Sequence, residues 1–327
     1  MTDQGAILGY TFRGNENHYY EDVSSRGYFE LKTKLLNKSN NYQTSYCKLI
    51  TEDVYDKHRI QMKIPKVDLI DRIDLVISST ESLNNLISKI SVSFDNKQFD
   101  RFSCSDIETQ INTLASFYNK KIRIINDKTF VPLELFSLHE NNILSPLCLV
   151  YTKIRIDIEI KKKVDVYLCG NVYALNNPER FLLRSSNSLE NYGIQSQCQE
   201  FTLQKGTNTF KLHFVHVMYV LYFWGHDKTK IINIKLLFNG REFYDGEIEP
   251  LEYYKHSMGY TFEPSAFFFV KEKLTEFSKT AINFSKMEKI ELVIETEQET
   301  ASNFYVCGLN YQCMKMMNGM CGLLFPN

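Results

Sequence analysis

Residues that break regular structure are scarce in this sequence, and so are the patterns that carry chemistry. Its 327 residues include only 14 Gly and 7 Pro, which excludes a collagen-like chain, a Pro-rich rod and a low-complexity tract. Neither sign of charge dominates, with 38 basic against 39 acidic residues. Without a basic excess there is no electrostatic footprint for nucleic acid or an anionic membrane, and no direct nucleic-acid partner is expected. The most apolar run, residues 210–224, is too short to span a bilayer and carries a lysine and two histidines. The opening MTDQGAILGYTFRG lacks the basic-then-apolar order of a secretory signal. Synthesis in the cytosol is the expectation.

Catalytic patterns are missing too. There is no Gly-rich phosphate loop, no G-x-S-x-G elbow and no H-E-x-x-H. The eight cysteines, Cys47, Cys104, Cys148, Cys169, Cys198, Cys307, Cys313 and Cys321, contain no C-x-x-C pair. They read as buried thiols rather than a disulfide framework or a zinc site. His213 and His216 are the closest histidines; three apart on a strand, they point to opposite faces and cannot share a metal. Glu295, Glu297 and Glu299 read as a solvated strand edge, and Lys161, Lys162 and Lys163 as a solvent-facing run. No catalytic residue, cofactor site or metal site is assigned, and no enzyme is expected.

What the chain has is aromatic and β-branched residues in alternation. It holds 23 Phe and 20 Tyr, which favours strands over disorder. Ile60, Met62 and Ile64 alternate with Arg59, Gln61 and Lys63. Ile154, Ile156, Ile158 and Ile160 alternate with Lys153, Arg155, Asp157, Glu159 and Lys161. Similar runs occur at 90–94, 121–125, 164–168, 209–214, 231–238 and 289–294. Each gives one buried and one wet face, the mark of antiparallel sheets. Helices are few. Residues 105–118 carry an apolar stripe with Ser105 and Glu108 as a capping box, and 177–183 can form a short turn of helix. Many short strands and few helices predict an all-β architecture of sandwiches or barrels. At this length two are expected, and the composition break at 174–180 places them at 1–176 and 177–327.

The chain ends NFYVCGLNYQCMKMMNGMCGLLFPN, an apolar close where most domains fray. Tyr311, Met314, Met316, Met317, Leu323 and Phe325, with the single tryptophan Trp224, are the candidate packing and assembly residues. They fasten the last strand either into its own domain or onto a neighbouring copy, and methionine tolerates the mismatches of either.

This ending resembles the close of the double jelly-roll major capsid proteins of nucleocytoplasmic large DNA viruses, in Asn310–Tyr311, the methionines 314–317, NGMCGL at 318–323 and Asn327. Other stretches follow in that family's order: KIPKVDLIDRIDLVIS at 63–78, LISKISVSFDNKQFDRF at 86–102, the Pro-Leu pairs at 132–133 and 146–147, VYALNNPERFLL at 172–183, LLFNGREF at 236–243 and INFSKMEKIELVI at 282–294. The stretches 78–85 and 224–231 are short where the family commonly carries long outer insertions, so a short-looped, divergent or minor member is expected. The resemblance implies two adjacent antiparallel eight-stranded jelly rolls with one or two short helices. It also implies a homotrimer that tiles an icosahedral virion. Its partners are then itself, neighbouring capsomers, other or minor capsid proteins and an inner viral membrane. Two alternatives stand beside this: a minor virion protein or transient scaffold on the same fold, and a carbohydrate-binding β-sandwich, for which the sequence offers no clear aromatic platform or calcium cluster.

Overall fold

The structure is a computed structural model. It describes residues 43–325 apart from 57, 96, 134–144, 179, 182–187, 271–280 and 318. The N-terminal arm, Asn318 of the Asn-Gly turn and Asn327 lie outside the described residues.

Among the described residues twenty strands form four antiparallel sheets. The first ten are β1 (Gln43–Lys48), β2 (Glu52–Asp56), β3 (Arg59–Lys63), β4 (Leu69–Ile77), β5 (Ile87–Phe94), β6 (Lys97–Phe102), β7 (Arg123–Ile125), β8 (Lys128–Pro132), β9 (Ile154–Ile160) and β10 (Val166–Ala174). They make sheets of order β1-β10-β4-β8-β7 and β2-β3-β9-β5-β6. The second set is β11 (Ser188–Leu203), β12 (Gly206–Leu212), β13 (Val217–Trp224), β14 (Ile231–Phe238), β15 (Arg241–Gly246), β16 (Ser265–Phe268), β17 (Ile282–Asn283), β18 (Ile290–Thr296), β19 (Ser302–Met317) and β20 (Met320–Leu323). Their sheets run β11-β19-β13-β16 and β12-β18-β14-β15. Setting aside the short accessory strands β2, β7, β17 and β20, each half reduces to eight strands. Numbered in chain order, they lie as 1-8-3-6 and 2-7-4-5 in both halves. That is the jelly-roll permutation, and it occurs twice.

Side-chain alternation drives the first roll. Ile60 and Met62 of β3 stand opposite Ile158 and Ile156 of β9, which in turn face Ile90 and Val92 of β5. This apolar ladder is fully buried. On the other face Asp157 accepts from Arg59 Nη2 at 2.9 Å and Gln61 Nε2 at 2.7 Å. Two-residue turns set register: Asn126 and Asp127 (φ 49 and 58) join β7 to β8, and Asn239–Gly240 (φ 51 and 76) joins β14 to β15. Positive φ at both central residues is what a type I′ hairpin requires.

The second roll has an aromatic core, with Phe210, Phe223, Phe238, Phe267, Phe284 and Phe304 among its buried side chains. Every residue of β13 is buried, so the alternation expected of a half-wet strand is absent there. The strand stops at Gly225 (φ 88), where a Cβ would fall 2.2 Å from the Asn303 carbonyl oxygen; only glycine fits that approach.

Several expectations are corrected. Cys198 of β11 and Cys307 of β19 form a disulfide, whereas the sequence spacing predicts thiols at all eight cysteines. The pair is 109 residues apart in sequence, so only the strand register reveals it. The run 121–125 forms strand only at Arg123–Ile125, and all three side chains are exposed because β7 is a sheet edge. Of the helices, α1 (Leu83–Leu86) and α3 (Glu249–Ser257) were not anticipated, while α2 (Ile107–Ser116) was. Asp106, not Ser105, caps α2, accepting from the Thr109 amide at 3.3 Å. His213 and His216 lie in the connection between β12 and β13 rather than on a strand, the first exposed and the second buried.

Residue contacts group 196–311 as one compact unit, and the described residues up to 195 with those from 312 onward as the other. The division falls inside the 16-residue strands β11 and β19. The composition break at 174–180 instead marks the connection between the strands of the two rolls, since β10 ends at Ala174 and β11 begins at Ser188.

Candidate assembly surface

The residues singled out by sequence do not converge on one site. Trp224 ends β13 and is buried, stacked on Tyr305 with ring centroids 4.9 Å apart and on Tyr222 at 5.7 Å. Tyr311 is buried edge-to-face against Tyr219 at 5.8 Å. Met314 and Met316 are buried as well. Beyond them the chain doubles back: β20 pairs β19 with Met314 opposite Leu323, Met316 opposite Cys321 and Met317 opposite Met320. Leu323 and Phe325 are half-buried. The Leu324 amide donates to the Cys313 carbonyl at 2.8 Å and Gln312 Nε2 to the Phe325 carbonyl at 2.7 Å, so the tail is tied down. Met317 alone of the seven is exposed, with Met320 beside it.

Sequence reading missed Val150 and Tyr151, two exposed apolar residues next to that hairpin tip. The Tyr151 amide donates to the Gly319 carbonyl at 2.8 Å, and Cys321 N donates to Thr152 Oγ1 at 3.0 Å. The available signal was an unbroken apolar run, LCLVY at 147–151, that does not alternate.

A buried ionic cluster sits at one end of the second roll. Lys255 of α3 is almost wholly buried. Its Nζ donates to Glu252 Oε2 at 2.7 Å and to the carbonyls of Phe262 and Pro264 at 2.9 and 3.0 Å. Lys228 reaches Glu252 Oε1 at 3.0 Å. Burial lowers the Lys255 pKa, partly offset by Glu252. For Glu252 burial pushes upward, but hydrogen bonds led by that from Lys255 prevail and hold it below the usual range. His226 lies nearby against Phe223 and Phe304, both ring nitrogens buried without a hydrogen-bond partner. Burial, then Lys228, lowers its pKa to about 4. In the first roll Asp74, also buried, accepts from Tyr46 Oη and Arg72 Nε, both at 2.6 Å. Its neighbour Cys169 is pushed up by burial and then by Asp74, which disfavours the reactive thiolate.

Lys228, Glu252 and Lys255 satisfy one another, and Tyr46 and Arg72 satisfy one oxygen of Asp74, while His226 stays unpartnered; none of these groups pairs a nucleophile with a base. Among the described residues no three His, Cys, Asp or Glu side chains are placed to hold a metal ion. Among them, too, no helix is long and apolar enough to cross a membrane.

The duplicated permutation finds counterparts among solved structures. PBCV-1 VP54, as fitted into a reconstruction of the virophage Sputnik, aligns with a TM-score of 0.72 at 13% identity, covering 88% of this chain and 98% of VP54. This chain has the double jelly-roll fold. The Faustovirus major capsid protein aligns at TM-score 0.60 and 7% identity, over 84% of this chain and 90% of its own. The major capsid protein P2 of bacteriophage PM2 aligns at 0.54 and 11%, over 82% and 98%. No protein-family model matches the sequence, and no curated protein matches it. A double jelly-roll at such low identity is held by strand order and core pattern rather than by shared residues.

Proposed function

We propose that this protein is a structural component of an icosahedral virion, a homotrimer whose six rolls form a pseudo-hexagonal tile. The observation that supports this best is the near-complete coverage of PBCV-1 VP54 by a chain carrying the jelly-roll permutation twice. Two similar rolls per chain and threefold rotation give six similar lobes, and a six-lobed block packs a plane edge to edge. Such a protein works by repeated association, with heterologous contacts between copies. Its activity is binding to itself and to neighbouring capsomers, with minor capsid proteins or an inner viral membrane as further neighbours. It carries out no turnover. Synthesis in the host cytoplasm and residence in the virion follow from the same reading.

The test is the mass of the purified protein by light scattering, followed by electron microscopy. A particle near three times 38.3 kDa with pseudo-hexagonal outline supports the reading; a strict monomer at all concentrations overturns it. A transient scaffold or minor virion protein on the same fold is the second reading. It is favoured by the short connections at 78–86 and 225–230, which leave little material for an outer surface. Finding the protein absent from purified particles but present during assembly decides for a scaffold.

A further inference from the structure

The geometry points to the tip of the C-terminal hairpin as a docking knob that seats on the α3 surface of a second copy of this chain. This rests on the tile reading and names the contact that reading leaves open. Met317 and Met320, 49% and 55% exposed, stand beside Val150 and Tyr151 at 52% and 74%. Their support is rigid. The β19–β20 pairing holds one side, and the backbone bond from Tyr151 to Gly319 holds the other. The turn lies so close that a Cβ on Gly319 would come 2.9 Å from Val150 Cβ. Four exposed large side chains offer roughly 400 Å² of apolar surface, the size of the largest patch on an ordinary monomer, which is often functional. It is about half of what one partner contributes to a stable interface, and so forms its centre.

The rim selects the partner. Lys66 Nζ is held by the Val150 carbonyl at 2.8 Å, which sets a cation at the edge of the patch. The same chain carries an acidic aromatic counterpart. On α3, Tyr253 is 77% exposed, with Glu249 one turn before it on the same face and Glu247 just ahead of the helix. The only lysine of that helix, Lys255, is buried and adds no surface charge. Asp245 is already paired with Lys235 at 2.7 Å. Unlike patches on one chain that complement each other make a head-to-tail contact, which closes into a ring by rotation. Opposite charge steers the approach and fixes register, while methionine adapts to small mismatches between copies.

The test uses the full chain and the variants Met320→Asp, Tyr151→Asp and Glu249→Lys, each checked for wild-type thermal unfolding. All three residues are exposed, so folding is expected to survive. The first two are expected to weaken association at least tenfold, moving the mass toward the monomer. Glu249→Lys is expected to weaken it less, with partial rescue by Lys66→Glu in the same chain. If the wild type associates and all three variants keep its mass, the docking surface is wrong while the tile reading stands. If the wild type never associates, the tile reading itself fails. If Met320→Asp leaves the mass unchanged but abolishes binding to vesicles of anionic phospholipid, the occupant is a lipid surface and the proposal is overturned.

Discussion

At one topological position the two rolls solve the same packing problem with different chemistry. In each, the connection between the third and fourth strands must meet the helix that leads into the sixth. The first roll joins α1 to α2 by mutual capping. Glu108 Oε2 accepts from Ser82 Oγ at 2.6 Å and from the Leu83 amide at 3.0 Å, while Asn84 Oδ1 accepts from the Glu108 amide at 3.1 Å. The second roll joins the turn Lys228–Lys230 to α3 through Glu252, which is gripped by Lys228 and by buried Lys255. Their cores differ in the same spirit, aliphatic in one and phenylalanine-rich in the other. The strand permutation therefore needs contact at this corner and a filled interior, but dictates neither the residues nor their charge. What does differ is the penalty for damage. Exposed caps fail cheaply, whereas a buried cation without its partner does not.

The largest asymmetry is covalent. Only the second roll carries a disulfide among the described residues, and it closes a span of 109 residues. Loop-closure entropy for a span near that length makes the bond worth about 4–5 kcal/mol. Trp224, the single tryptophan, lies in the second roll, so its fluorescence follows that half while far-UV dichroism follows both. Reduction, or Cys198→Ser, is expected to lower the fluorescence midpoint in denaturant well before the dichroism change is complete. A fluorescence midpoint indifferent to reductant would show that the bond does not constrain this roll.

Next in size is the ionic corner. Glu252→Ala leaves Lys255 buried with two carbonyls and no counter-charge, at an expected cost of about 3–4 kcal/mol. Lys255→Met removes the charge instead, and Glu252 keeps Lys228, so about 1 kcal/mol is expected. Equal costs for the two, measured by the same fluorescence titration, would mean that Lys255 is not held as a cation.

The comparison also shows why one half was easier to read. β3 and β9 are half-wet, so Ile60, Met62, Ile156 and Ile158 stood out against charged neighbours. β13 is buried on both faces and lost its alternation, although its apolar character was plain. α3 stayed hidden because one of its two buried positions is Lys255 rather than an apolar residue. The capping box failed because Glu108 is recruited by α1, 25 residues earlier, a contact no local pattern contains. Turn chemistry carried over, as at Asn239–Gly240. The tail methionines were legible as packing residues, but which of them stay exposed depends on a hairpin that the sequence alone did not specify.

A third asymmetry is set by pH. His226 has a folded pKa of about 4 against 6.5 unfolded, because it is buried and Lys228 stands near, opposed by Glu252 and Asp227. The folded state keeps the ring neutral, so below pH 6.5 the unfolded chain takes up a proton that the folded chain refuses. Stability of the second roll therefore falls as pH drops from about 6.5 to 4 and levels off below, by no more than about 3 kcal/mol. His226→Gln is expected to flatten that part of the fluorescence-detected pH profile. An unchanged slope would place the loss elsewhere.

A smaller effect than the unpairing of Lys255 tests the capped corner itself. Glu108→Ala removes one carboxylate oxygen that takes two hydrogen bonds at the start of α1; the Ser82 hydroxyl it leaves is water-accessible, while Leu83 is buried and its amide loses that acceptor. A lost cap of this kind costs about 1–2 kcal/mol, well under the cost of unpairing Lys255. The shift belongs in the dichroism transition, with the Trp224 signal unmoved, because the cap and the tryptophan lie in different contact units. If both signals move together, the two rolls unfold as one cooperative body, and each cost assigned above to a single roll is shared by the whole chain.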